Sequence, residues 1–209
     1  MRRVIRAARL SLDGADLRVY YDNGQGLYLE IIEAAKEQLD AMLSHHARVL
    51  VIRLDIRQHD YTADNKPMSR FMAKLVKRLK RRYQFQRVGF IWVREVGEGK
   101  EKEKEEEKEE EKQQHYHLAL MLDGRTVRHP ARVIELAEEI AEGWDWPKPY
   151  TCENCYYLIH RKDAGQYQEA LYRISYMAKV RTKGLKAIPA NNSGRSAVKP
   201  RREAPGVAA

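Results

Sequence analysis

The sequence predicts an α+β fold: one antiparallel sheet, with helices mainly on one of its faces. Three observations carry that expectation. Apolar, β-branched runs of strand length alternate with amphipathic stretches of helical period. Two of the runs follow one another with no helix between them, so they should meet as a hairpin. A strand–helix arm precedes that hairpin and a helix–strand arm follows it.

Taken in order, residues 1–23 form a basic lead-in with no clear periodicity. From 26 to 46 the stretch LYLEIIEAAKEQLDAML spaces its apolar residues for a helix. RVLVIRLDIR, residues 48–57, reads as a strand with Leu50, Ile52, Leu54 and Ile56 on one face and Arg53, Asp55 and Arg57 on the other. QHDYTADNKP is a loop, and Pro67 suits the first turn of a helix running to about residue 83. Phe71, Leu75 and Leu79 give that helix its apolar stripe, while Lys74, Lys77, Arg78, Lys80, Arg81 and Arg82 make the rest basic. RVGFIWVRE (87–95) and HYHLALML (115–122) are the hairpin strands, the second closed by Asp123-Gly124. A helix over 130–143, the turn-rich WDWPKPY, a strand over 154–160 and a helix over 165–180 complete the body. This order is the ferredoxin-like split βαβ arrangement. Part of the sheet should stay open, and open faces of such sheets serve single-stranded nucleic acid.

The chain has 209 residues, 39 Lys and Arg against 30 Asp and Glu, and a formal net charge of +9. Residues 97–114 hold nine Glu and five Lys, so the remainder carries a net +13. A body that basic points to a polyanionic partner, nucleic acid above all. The Glu/Lys-rich segment cannot bury a core and is expected as a solvated extension of the hairpin tip. Residues 181–209, rich in basic residues, Gly, Pro and Asn, are expected to be a disordered basic tail, which makes 47–180 the functional domain. Apolar runs are far too short to span a membrane. The basic N-terminus has no apolar export core, and the expectation is a cytoplasmic protein. Cys152 and Cys155 are the only cysteines; a zinc site would need further ligands, and the pair is read as reduced and without a chemical role.

Three constellations carry chemistry. His115-Tyr116-His117 lies within a strand, so both imidazoles share a face and can share one metal ion, the alternative being two exposed edge histidines. Glu95, at the end of the neighbouring strand, is the candidate third ligand, with Asp55 as competing carboxylate. Nitrogen and oxygen donors without thiolate suit Mg²⁺ or Mn²⁺. Tyr172, Tyr176 and Lys179 fall on one face of the last helix. They read either as an amphipathic helix burying two rings under a snorkelling lysine, or as a phenol nucleophile beside a cation.

Together these elements make the sequence resemble the HUH endonucleases, the rolling-circle replication initiators and relaxases. That family pairs a His-hydrophobe-His strand with a tyrosine helix. The nearer resemblance is to the inovirus gene-two replication proteins and the prophage-borne YfjJ/YagK-type domain. It is carried by RVLVIRLDIR, DYTADNKPMSRF, VGFIWVRE, QHYHLALMLDG, VRHPARVIELAEEI, GWDWPKPY, NCYYLIHR and YRISYMAKV, some two thirds of the chain. The Glu/Lys-rich insertion between Glu95 and His115 departs from the family pattern.

The resemblance implies an HUH-type, site-specific, single-stranded DNA nickase and religase that initiates rolling-circle replication of a phage or prophage element. His115, His117 and Glu95 would hold the divalent ion. Tyr176 would form a 5′-phosphotyrosine, Tyr172 would serve a second cleavage, and Lys179 would stabilise charge on the phosphate. Arg53, Arg57, Lys74, Lys77, Arg78 and Arg81 are the candidate DNA-backbone contacts. Partners would be single-stranded DNA at a replication origin, with a host helicase and polymerase as further candidates, and no membrane. The competing expectations are a non-catalytic nucleic-acid binder on the same fold, or a transposase or relaxase using the same chemistry.

Overall fold

A computed structural model describes residues 3–21, 24, 26–98, 112–180 and 192–201. In chain order the elements are β1 (Val4–Ile5), β2 (Arg9–Leu12), β3 (Ala15–Arg18), β4 (Leu27–Tyr28), α1 (Leu29–His45), β5 (Arg48–Arg57), α2 (Lys66–Tyr83), β6 (Gly89–Glu98), β7 (Lys112–Asp123), α3 (Ala131–Glu142), β8 (Tyr156–His160), α4 (Ala164–Ser175), a 3₁₀ turn (Tyr176–Ala178) and β9 (Ser193–Arg195). The fold is mixed α/β, with antiparallel sheets and four α-helices among the described residues. None of those helices is long and apolar enough to cross a membrane.

The main sheet has five strands in the order β8-β5-β7-β6-β9, every pair antiparallel. β6 and β7 pair without a break from Gly89↔Met121 to Glu98↔Lys112. Strand pairing therefore runs into both ends of the Glu/Lys-rich segment, of which residues 99–111 lie outside the described residues.

Helices pack on both faces of this sheet, which corrects the expectation of helices mainly on one face. The reason lies in β5. Leu50, Ile52, Leu54 and Ile56 build one core with Phe71, Leu75 and Leu79 of α2 and Val133 and Ile140 of α3. Val49 and Val51 are just as apolar on the opposite face, as are Ile91, Val93, Ala119 and Met121. They form a second core with Ile32, Leu39 and Met42 of α1 and Leu171 and Ile174 of α4. A sheet whose strands are apolar on both sides must be covered on both sides. Only the far end of the second face, where Arg53, Asp55, His115, His117 and Glu95 replace the aliphatic residues, changes character.

Short strands form on both sides of the expected 47–180 domain. In the lead-in, Asp13 and Gly14 take positive φ (52° and 76°), which closes the β2–β3 hairpin. Leu17 and Val19 from this region are buried against the second core. In the presumed tail, residues 192–201 are described: β9 pairs with β6, and Val198 packs on the second core. Gly194 crosses the Trp92 ring so closely that a Cβ there would lie 2.4 Å from it. Buried Gln38 of α1 accepts from Ser196 Oγ (2.5 Å) and from the Val198 N–H (3.2 Å), fixing the segment after β9. Residues 181–191 and 202–209 of the expected disordered tail lie outside the described residues.

A buried polar network ties the 58–65 loop to the sheet. Arg94, fully buried on β6, donates to Thr62 O (2.5 Å) and to Gln114 Oε1 (2.7 Å). Gln114 Nε2 in turn donates to Gln58 Oε1 (2.9 Å) and Tyr116 Oη (2.8 Å), and the Tyr116 hydroxyl donates to Asn65 Oδ1 (3.1 Å). Burial pushes the Tyr116 phenol up to about 12, so it stays a proton donor at neutral pH. Arg94→Leu should cost about 3 kcal/mol, because it strands the buried oxygens that the guanidinium serves. The check is the midpoint of urea unfolding, with Trp92→Phe as a mild core comparison.

Candidate metal centre and tyrosine helix

The polar end of the second face is assembled by strand register. Asp55 of β5 lies opposite His117 of β7, and His117 lies opposite Val93 of β6. One step outward, Arg57, His115 and Glu95 form the next row across the same three strands. Directly opposed residues of antiparallel strands share a face, so Asp55, Arg57, His115, His117 and Glu95 converge there. Tyr116, Leu118, Leu120 and Leu122 point to the other face and are buried, as the period of two requires.

Glu95, His115 and His117 offer ligand atoms that all lie within 4.8 Å of one another. Glu95 Oε2 is 2.9 Å from His115 Nε2 and 3.0 Å from His117 Nε2. Nε2 of His117 is buried and makes no hydrogen bond of good geometry. The opposite ring nitrogen explains its state. Nδ1 of His117 lies 2.6 Å from Asp55 Oδ1 and donates its proton there. Arg53 Nη2 sits 3.0 Å from the same Asp55 oxygen and 2.7 Å from Nδ1. An ionised carboxylate has no proton to give, so its contact with Nδ1 is a hydrogen bond only when Nδ1 donates, and Asp55 is the acceptor that Arg53 and His117 share. Nδ1 thus carries the proton, and the Nε2 lone pair faces Glu95 and His115. The arrangement fits a divalent cation with one carboxylate and two imidazole ligands, and Asp55 is the outer partner that orients one imidazole rather than the third ligand. Burial alone would raise the Asp55 carboxyl, but the hydrogen bonds from His117 and Arg53 and the charge of Arg53 hold it below the ordinary carboxylate range. The cluster opens to solvent at His115, whose side chain is 31% exposed, against 8% for Glu95 and 5% for His117.

α4 delivers Tyr176 to this centre. The α-helix ends at Ser175 and the chain tightens into the 3₁₀ turn. Residues three apart eclipse in such a turn, so Lys179 lies over the Tyr176 ring, its Nζ 3.7 Å from the centroid. The ring also stands 5.9 Å from the His117 ring and 5.3 Å from the Arg53 guanidinium carbon. Tyr172 lies one turn back, with Arg18 over its ring at 4.5 Å and Tyr20 at 6.1 Å. The two tyrosines therefore have different surroundings: Tyr176 stands against His117 and Arg53, and Tyr172 lies under Arg18.

The candidate nucleic-acid contacts separate. Arg53 is buried within the centre, where it holds Asp55. Arg57 is exposed beside it. Lys74, Lys77, Arg78 and Arg81 lie on α2, in the layer across the sheet, and form no common surface with the centre. Arg78 pairs with Glu139 of α3 (2.9 Å), and Lys74 Nζ lies 5.2 Å from the Trp144 ring centroid. Cys152 and Cys155 are both free and half-buried.

Tyr20 is a member of the site that sequence reasoning missed. Its ring is 5.0 Å from that of Tyr176 and 5.1 Å from Lys179 Nζ. Its backbone N–H donates to Ser175 Oγ (2.7 Å), whose hydroxyl donates to Tyr172 O (2.7 Å), so the lead-in is bound to the helix end that carries Tyr176. No local pattern announces a contact across some 150 residues.

No curated protein matches the chain. The model of the YagK/YfjJ C-terminal domain does match, over residues 14–196, from the turn of the lead-in hairpin through β9. With the match covering the sheet, both helical layers and the Glu95, His115 and His117 group, the chain belongs to the YagK/YfjJ C-terminal domain family.

Proposed function

We propose that this protein is an HUH-type endonuclease that nicks and rejoins single-stranded DNA through Tyr176, in the service of rolling-circle replication of a phage or prophage element. The observation that carries the reading is the contact of the Tyr176 ring with His117, a member of the two-histidine, one-carboxylate cluster. The order β8-β5-β7-β6, with α2 and α3 as the crossovers, supports the ferredoxin-like, split βαβ form of the fold.

Glu95, His115 and His117 would hold a divalent ion, Mg²⁺ or Mn²⁺, whose charge polarises the scissile phosphate. Asp55 keeps the His117 proton on Nδ1, and Arg53 fixes Asp55. In the reaction the Tyr176 phenolic oxygen bonds to phosphorus and the bond from phosphorus to the 3′ oxygen breaks. The phenol proton passes to solvent, and the 3′ oxygen takes one up as a free hydroxyl. One phosphodiester replaces another, so the step runs without ATP and reverses on rejoining. Lys179 keeps a cation beside the phenol, where charge develops. Tyr172 is positioned for a later role, away from the first exchange.

The test is a covalent-adduct assay. Full-length protein is incubated with a labelled pool of single strands from its own genetic element, with Mn²⁺ or with EDTA, and run on a denaturing gel. A shifted band that needs the metal is the expected outcome. Tight, salt-sensitive binding with no band on any strand would establish the non-catalytic binder instead.

A further inference from the structure

Tyr150 is the most exposed large aromatic residue among the described residues, with 51% of its surface open. Exposure here does not mean freedom. The Asp55 N–H donates to Tyr150 O and the Tyr150 N–H donates to Asp55 O, both at 2.9 Å. Two residues that exchange both backbone bonds point their side chains to one face. The Tyr150 ring therefore stands on the face of Asp55, His115 and His117, on the flank of β5 opposite β7. Arg57, the next residue of β5 on this face, lies on that ring with its guanidinium carbon 5.7 Å from the centroid. From His117 the ring is roughly two strand spacings away, about 10 Å.

An aromatic ring held by its backbone, with a cation against it and half its surface open, is what a nucleobase stacks on. Stacking is indifferent to base identity, and Arg57 adds attraction for the adjoining backbone phosphate. Nothing in the packing of the two cores requires a tyrosine here, since the ring contributes to neither.

We propose that Tyr150, supported by Arg57, is a shelf that stacks a base of single-stranded DNA flanking the phosphate held at Glu95, His115 and His117. The proposal rests on the single-strand nuclease reading and adds to it a positioning residue outside the metal cluster and the tyrosine helix. Residues from the 144–150 turn would then set where along a strand the scissile phosphate falls.

The experiment is fluorescence anisotropy of a labelled oligothymidylate on full-length protein at low salt in EDTA, which separates binding from cleavage. Tyr150→Leu should raise Kd about five- to a hundred-fold, as loss of one stacked base does. Tyr150→Phe should stay within about two-fold, because the ring, not the hydroxyl, carries the contact. On a strand of the same length with abasic sites, wild type and Tyr150→Leu should bind alike. Equal affinity of Tyr150→Leu and wild type for oligothymidylate overturns the shelf, and so does an equal loss on the abasic strand. The two proposals fail separately. A stacking loss in a protein that never forms an adduct leaves the shelf standing without the nickase. A normal adduct from a Tyr150→Leu protein with unchanged binding removes the shelf alone.

Discussion

Tyr176→Phe is expected to abolish the metal-dependent protein–DNA adduct, with cleavage falling at least about a thousand-fold, while single-strand affinity changes little. The substitution removes one oxygen and keeps the ring. The contacts with His117, Arg53, Lys179 and Tyr20 are made by that ring, so the fold around it should persist. A loss of reaction can then be assigned to the missing nucleophile. Tyr172→Phe is the informative comparison. Tyr172 is turned toward Arg18 and Tyr20 and has no ring contact with His117, so the first adduct should form at nearly the wild-type rate. If Tyr172→Phe and Tyr176→Phe each halve the yield and only the double variant is silent, the tyrosines are interchangeable. The separation between their surroundings would then have no bearing on which attacks first.

Much of this site was legible because strand residues obey a period of two. His115 and His117 had to share a face, and Glu95 had to reach them once β6 and β7 paired as a hairpin with Glu95 opposite His115. The same period places Arg53, Asp55 and Arg57 together, but it does not divide their labour. Asp55 became the partner of His117 Nδ1 and Arg53 became the clamp on Asp55 only through the pairing of β5 with β7. The long elements were readable for related reasons: β5 has the predicted bounds, and α2, α3, β6, β7 and β8 differ by a few residues at their ends. The four short strands before α1 and the short β9 were not. Strands of two to four residues hold too few side chains to show a period, and β1, β4 and β9 form because partners far along the chain pair with them. Tyr172 and Tyr176 illustrate the remaining failure. A spacing of four implies one helical face, yet the switch to a 3₁₀ turn at Tyr176 gives the second ring its own direction and brings Lys179 over it.

The Glu95, His115 and His117 group makes the other large prediction. Mn²⁺ should raise the melting temperature of the wild-type protein, since a ligand that binds only the folded state adds about 2.7 kcal/mol at a hundred times its Kd. His117→Ala should lose that stabilisation altogether. Asp55→Asn touches no ligand atom and should keep it at a higher metal concentration, because outer partners of a ligating histidine typically alter affinity by about 10- to 100-fold. Removing the ligand itself must cost at least as much as loosening its orientation, so the two variants rank by an argument that needs no absolute affinity. Arg53→Met should resemble Asp55→Asn in metal affinity, for Arg53 meets Asp55 and the Nδ1 side of His117 and none of the ligand atoms. In the absence of metal, His117→Ala should also be destabilised, because Asp55 then stays buried with one hydrogen-bond donor fewer. Isothermal titration with Mn²⁺ reads both the order and the size of these changes. A His117→Ala protein that still binds the ion with the wild-type Kd would move the metal away from Glu95, His115 and His117. The placement of Tyr176 against His117 would then lose its chemical meaning, and the nickase reading would fall with it.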